Sequence, residues 1–410
     1  MRVGSPEFRG SYGLPKDVKF CKKCVISNQK PISSIESTHS KNHVKETTTF
    51  TDGVCDACRW AEAKEKSIDW DLREKELRAL CDLHRKDNGA HDVIVPASGG
   101  KDSRYVAHLL KHKYQMNPLT VTWKPHLFTD IGLENYLSLI DNGFANVMLS
   151  PPGDVQRQLT RLAFKNLGHP FQPFIVGQRA VGPKLALQND IKLIFYGENV
   201  AEYGNRIEDN YSPLMDIGLY TCFDFNESNL SEYMLAGESL RKIVEDHKVS
   251  LKELESYKSP CREDIEKAGI QVHYMSYYRK WIPQENYYYA VEHTGFVPNA
   301  SRKSASFAKY AGIDDLLEDL HYYMQLIKFG MGRCTWDAAQ EVRTGKLERD
   351  EAVSLVRKYD NEAPTESLDA LLNYLSMPEQ EFWETVNSFR PEHLWAKTET
   401  GDYLLVKTAS

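Results

Sequence analysis

Asp92-Val93-Ile94-Val95-Pro96-Ala97-Ser98-Gly99-Gly100-Lys101-Asp102-Ser103 is the stretch on which the reading of the fold turns. Residues 92 to 97, apolar from Val93 on, have the pattern of a buried strand, and Asp102 to Tyr114 carries the periodicity of a helix. A turn from strand to helix aims the helix's free N–H groups, and the positive end of its dipole, at whatever lies above the sheet. Gly99 and Gly100 let the backbone approach an anion and take dihedrals closed to other residues. The Ser98 and Ser103 hydroxyls can donate to phosphate oxygens, and Lys101 supplies a compact positive charge. A glycine-rich turn that merely connects two elements has no need of those neighbours. The Walker pattern G-x-x-x-x-G-K-[ST] is absent, so this is a phosphate loop of another type.

Working outward, the same alternation continues. Leu119 to Trp123, Ala145 to Leu149 and Lys192 to Tyr196 read as strands, with Glu134 to Asn142 a helix among them. That rhythm predicts an α/β fold of βαβ units, a Rossmann-like parallel sheet with helices on both faces. A helix over 69 to 86, with Leu72, Leu77, Leu80 and Leu83 on one apolar face, precedes it. The stretch 226 to 268 is charged and helical without evident chemistry, and a lid is one use for it. Residues from 269 onward are tyrosine-dense, then mainly helical, ending in a short strand-like tail. Four units follow: a tail over 1–18, a cysteine-bearing module over 19–66, the α/β domain over 67–225 and a helical, aromatic-rich region over 226–410. Gly4-Ser5-Pro6-Glu7-Phe8 reads as the translated remnant of a cloning site.

The chain has 410 residues, 41% of them hydrophobic and 27% charged, which suits a globular protein of two or three domains. A net charge of -7 argues against a broad nucleic-acid footprint. No run is long and apolar enough to span a bilayer and no signal peptide is seen, so a cytosolic protein is expected. In a reducing compartment, two C-x-x-C pairs are metal ligands more often than disulfides. Cys21, Cys24, Cys55 and Cys58 are therefore expected to hold one structural zinc, with metal binding stabilising the polar loop between the pairs. A sulfur-relay dithiol is the alternative, though it would need only one pair.

Ser98-Gly99-Gly100-Lys101-Asp102-Ser103 resembles the PP-loop of the ATP pyrophosphatase superfamily. The resemblance implies that the loop grips the β,γ-pyrophosphate of ATP while the α-phosphorus is attacked. Gly197-Glu198-Asn199-Val200-Ala201-Glu202 follows the fourth strand, at the sheet edge where open α/β proteins bind ligands. By the same resemblance Glu198 or Glu202, with Asp102, would bind magnesium, and Val121 and Thr122 would meet adenine. Solvated surface acids are the alternative for the glutamates. Lys328 and Arg333, around Gly330 and Gly332, could neutralise pyrophosphate or be a solvated basic face. Residues 273 to 289 hold many tyrosines, whose flat faces suit either a sugar or a core.

Those cysteine pairs, the phosphate loop, GENVAEYG (197 to 204), KWIPQENYYYAVEHTGF (280 to 296) and KFGMGR (328 to 333) occur in that order. Together, from about 19 to about 363, they resemble the N-acetyl sugar amidotransferases of the WbpG and PseA type. The resemblance implies conversion of a sugar acetamido group to an acetamidino group for bacterial surface glycans, lipopolysaccharide or flagellin. It implies ATP and Mg2+ as well as zinc, catalytic roles for Lys101, Asp102, Glu198 and Glu202, and phosphate contacts that extend to Gly197. It also implies sugar-facing roles for Asn199, Tyr203, Tyr278, Trp281, Asn286 and Tyr287. No cysteine sits in a glutaminase-like setting, so ammonia is expected from a partner resembling the glutaminase and cyclase subunits of imidazole glycerol phosphate synthase. A PP-loop tRNA-modifying enzyme and a non-catalytic zinc-ribbon binding protein are the rival readings.

Overall fold

The computed structural model describes residues 10–40 and 43–410; the stretch Gly4 to Phe8 lies outside them. In chain order the longer elements are α1 (Asp56–Lys66), α2 (Trp70–His84), β1 (Val93–Pro96), α3 (Lys101–His108), β2 (Pro118–Trp123), α4 (Asp130–Asp141) and β3 (Ala145–Leu149). Then come α5 (Gly153–Leu167), α6 (Gln172–Gln188), β4 (Leu193–Tyr196), β5 (Gln271–Tyr274), α7 (Pro283–Thr294), α8 (Leu317–Phe329), α9 (Arg333–Arg343) and α10 (Arg349–Tyr359).

The five strands form one parallel sheet in the order β3-β2-β1-β4-β5. Its central strands are buried along nearly their whole length because both faces are covered. Alternation decides which face each residue serves. Ile94 joins Val121, Leu159, Val181 and Ile194 in one core, while Val93 and Val95 join Val106, Leu110, Leu139 and Phe195 in the other. From β1 the chain steps outward to β2 and β3, then returns to the other side for β4 and β5. The reversal leaves a crevice at the carboxyl ends of β1 and β4, where the connections must diverge.

The architecture differs from the sequence reading in four places. β5 lies in the stretch assigned to the helical region, so the sheet runs well past residue 225. Residues 226–268 are no lid: Leu240, Ile243, Leu254, Tyr257 and Ile265 are fully buried and close the core on one face of the sheet. In α2 only Leu77 and Cys81 are buried, whereas Leu72 and Leu83 are exposed. At about 100° per residue those two lie more than 100° from Leu77 around the helix, and the stripe that meets the sheet is narrower than that. Residues 10–18 pack rather than trail, with Leu14 fully buried beside the cysteines. No helix among the described residues is long and apolar enough to cross a membrane.

Candidate active site

The loop after β1 is held from behind. Gly99 has φ 98°, and a Cβ there would sit 2.8 Å from the Tyr136 backbone nitrogen, so both the turn and the approach of α4 require glycine. Its carbonyl accepts a 2.8 Å hydrogen bond from Arg104 Nε. The same fully buried guanidinium donates to the carbonyls of Asn135 and Thr294 and so ties the loop to α4 and α7. Gly100 caps α3, whose first turn thereby faces the crevice. Lys101 Nζ lies 2.5 Å from Asp102 Oδ2, and Asn286 Nδ2 donates to Asp102 Oδ1 at 3.3 Å. The Ser103 hydroxyl is turned back to the Gly100 carbonyl, while Ser98 lies beside Asp314 at the rim of the cleft.

Across the crevice, β4 delivers Gly197 and Glu198. Glu198 accepts from the Tyr203 hydroxyl at 2.8 Å, and burial together with nearby Asp102 pushes its carboxyl above the usual range. Two carboxylates facing one crevice offer hard oxygen ligands that fit a divalent cation. Glu202 faces the other way. It takes Lys64 Nζ at 2.5 Å and Trp60 Nε1 at 2.9 Å from α1, so it is an anchor to the cysteine module rather than a ligand in the crevice.

Between the two loops opens a cleft of about 680 Å³. Ser98, Gly100, Lys101, Asp102, Ser103, Gly197, Glu198 and Tyr203 line the end between the two loops. Val121, Trp123, Phe174 and Val181 give it an apolar side. Thr122 is buried beneath, its hydroxyl bonded to the Ala97 carbonyl. The helical region closes the cleft with Tyr310, Asp314, Glu318, Tyr322, Lys328 and Arg333. Arg333 is oriented by Asp337 at 3.1 Å and lies over the Tyr322 ring. Burial, with Lys45 nearby, lowers Lys328 to about 7, and burial raises Glu318 to about 7.

The aromatic stretch serves the core instead of the cleft wall. Tyr278 is buried and shares a 2.8 Å hydrogen bond with His273 Nδ1. Trp281 packs edge-on to Tyr105 and against Gly197. Tyr287 stacks on Tyr310, which does reach the cleft. Asn199 spends its side chain capping the turn of Val200–Tyr203 and bonding the Asp209 carbonyl. Asp314 and Glu318 had no motif to announce them, because long-range packing alone brings them to the cleft, and Arg104, though next to the loop in sequence, carries no signal that it turns back to the Gly99 carbonyl.

The four cysteines converge, all their sulfurs lying within 4.8 Å of one another. Cys21–Cys58 and Cys24–Cys55 are separated by 3.9 and 3.7 Å. Thiolates around one tetrahedral zinc, at about 2.3 Å each, sit about 3.8 Å apart. Backbone N–H groups of Lys23 and Cys55 point at Cys21 Sγ, at 3.4 Å each. The buried Arg343 guanidinium, raised by the neighbouring cysteines and Glu202, has two nitrogens with no hydrogen-bond partner among the described residues. A cation suits the negative charge of a four-thiolate zinc centre, and the donor set fits zinc.

Residues 304–409, which supply Tyr310, Asp314, Glu318, Lys328 and Arg333 to the cleft, match the family model of the LPS biosynthesis protein WbpG-like, C-terminal domain. No curated protein matches the chain. The C-terminal region of the chain thus resembles the C-terminal domain of a WbpG-like LPS biosynthesis protein.

Proposed function

We propose that the chain is an ATP-dependent amidotransferase that turns a sugar acetamido group into an acetamidino group and releases AMP and pyrophosphate. The observation that carries this reading is the crevice at the strand-order reversal. A glycine-bearing loop at the start of α3 faces a loop with a buried acid after β4, and a WbpG-like region closes the space.

An amide is a poor electrophile, so its oxygen must first become a leaving group. The acetamido oxygen attacks the α-phosphorus of ATP and pyrophosphate departs. Ammonia then adds to the imidate carbon, a proton is lost, and AMP leaves with the oxygen. Lys101, the α3 amides and the Ser98 hydroxyl hold the outer phosphates, and Arg333 balances charge on the pyrophosphate as it leaves. Asp102 and Glu198 would hold magnesium, which supplies further neutralisation of the phosphates. Tyr203 keeps Glu198 oriented, and no side-chain nucleophile is needed. Ammonia comes from a partner glutaminase, since neutral ammonia is scarce near pH 7.

Incubation with Mg2+, ATP, ammonium and acetamido sugars should give sugar-dependent AMP, with a product in which NH replaces one acetyl oxygen by mass spectrometry. ADP as the nucleotide product would refute the reading. Glutamine used as well as ammonium by the chain alone would refute the partner.

A further inference from the structure

The cleft continues past the phosphates to side chains that adenylation does not use. α8 lines it from Glu318 to Lys328, a run of about 15 Å at about 1.5 Å per residue. At the far end Glu36, His39 and His169 meet, each supplying one ligand atom, and these atoms lie within 4.8 Å of one another. We propose that these three residues form a second metal site, separate from the cysteines. It takes one divalent ion of borderline softness, such as Zn2+ or Co2+, and turns its open positions to the cleft.

The contact between the first two residues separates this from an ordinary ion pair. Glu36 Oε2 lies 2.8 Å from His39 Nδ1, yet it accepts no hydrogen bond from any described residue. At that distance an ion pair aligns N–H with the carboxylate; here the two atoms are close but not aimed at each other. Ligands bound side by side to one ion at about 2.1 Å are about 3.0 Å apart, which matches. His169 Nε2 completes the set, 3.9 Å from the same oxygen. Glu36 is only 6% exposed and would otherwise bury a carboxylate with a bare lone pair.

The surroundings hold the ligands in place. Gln172 Nε2 donates to the Glu36 carbonyl at 2.9 Å, and Ser34 Oγ meets His39 Nε2 at 2.5 Å, fixing the ring from behind. His321 stacks on His169 and is itself held by Gln325 at 2.8 Å. Two imidazoles and one carboxylate suit a divalent transition ion and leave coordination positions free. With an ion on His39 Nδ1, the ring's Nε2–H donates to Ser34 Oγ. Lys45 and Lys328 line the cleft beside the three residues and offer N–H donors to an oxygen ligand, a carboxylate or phosphate, that completes the coordination. The inference stands on this geometry and does not need the adenylation reading.

Cobalt tests it on the full chain. After chelation and reloading with Co2+, the protein should hold two equivalents, one with thiolate charge-transfer absorption and one without. The double variant His39→Ala/His169→Ala should hold one, with the thiolate absorption unchanged, which also reports that the fold is intact. Glu36→Gln, a near-isosteric change, should weaken only the second equivalent, by about tenfold or more. A wild-type protein that binds a single, thiolate-ligated cobalt overturns the proposal. So does Glu36→Gln binding both equivalents as tightly as wild type, whatever the histidine variant does.

Discussion

The link from Glu202 to α1 can be cut in a way that reports its strength. Lys64 Nζ sits 2.5 Å from Glu202 Oε2, and the side chains are 7% and 10% exposed, so screening by water is slight. Lys64→Met would leave a buried carboxylate with one indole donor, Trp60. Breaking a buried pair on one side costs about 3–5 kcal/mol. Glu202→Gln keeps an acceptor for the ammonium and loses a charge-assisted hydrogen bond, about 1.5–3 kcal/mol. In the double variant neither charge is stranded, so its loss should fall short of the sum of the single losses by about 2 kcal/mol. Urea unfolding of the zinc-loaded protein measures the cycle. Glu202 is four residues beyond Glu198, so both single variants should also bind ATP more weakly, read by titration calorimetry. Losses that add to within about 0.5 kcal/mol would show no coupling and refute the anchor.

Other outcomes follow from the same geometry. Gly99→Ala combines a left-handed φ with a clash against α4 backbone; it should cost about 2–5 kcal/mol and abolish ATP binding, measured by thermal melts and calorimetry. Arg104→Met removes the donor to the Gly99 carbonyl and should weaken ATP binding more than it shifts the melting temperature of the apo protein. Chelation, or Cys24→Ser, should release zinc by mass spectrometry and then lower ATP affinity, because α1 begins at the cysteines and carries Lys64. Glu318 has a pKa raised from 4.5 to about 7, so its protonated form favours the folded state. Ionisation in the unfolded chain removes that contribution as pH rises from about 4.5 to about 7. Glu318→Gln should thus gain in melting temperature over wild type across that window and level off above it.

Much of this was legible because it is local. The strand, glycine turn and helix around Ser98 are contiguous, and so are the C-x-x-C pairs. What failed was whatever depends on direction or distance. Glu198 and Glu202 are alike in sequence, yet one 3-10 turn sends them to opposite sides of the loop. Tyr278 and Trp281 read equally well as sugar-facing or core, since the same flat apolar ring serves both; their place beside β5 decides. β5 itself could not be inferred, because its pairing with β4 spans the whole stretch after Tyr196. Asp314 reaches Ser98 from more than two hundred positions away, with no spacing rule to mark it.

The cysteine lobe shares its apolar core with Ala338, Ala352, Val353 and Ala409, and Arg349 Nε donates to the Cys21 carbonyl. During synthesis, therefore, the thiols emerge well before the helices that shelter them. Until those helices arrive the four sulfurs lack their apolar cover, and early capture of zinc is what would hold the two pairs together through that interval.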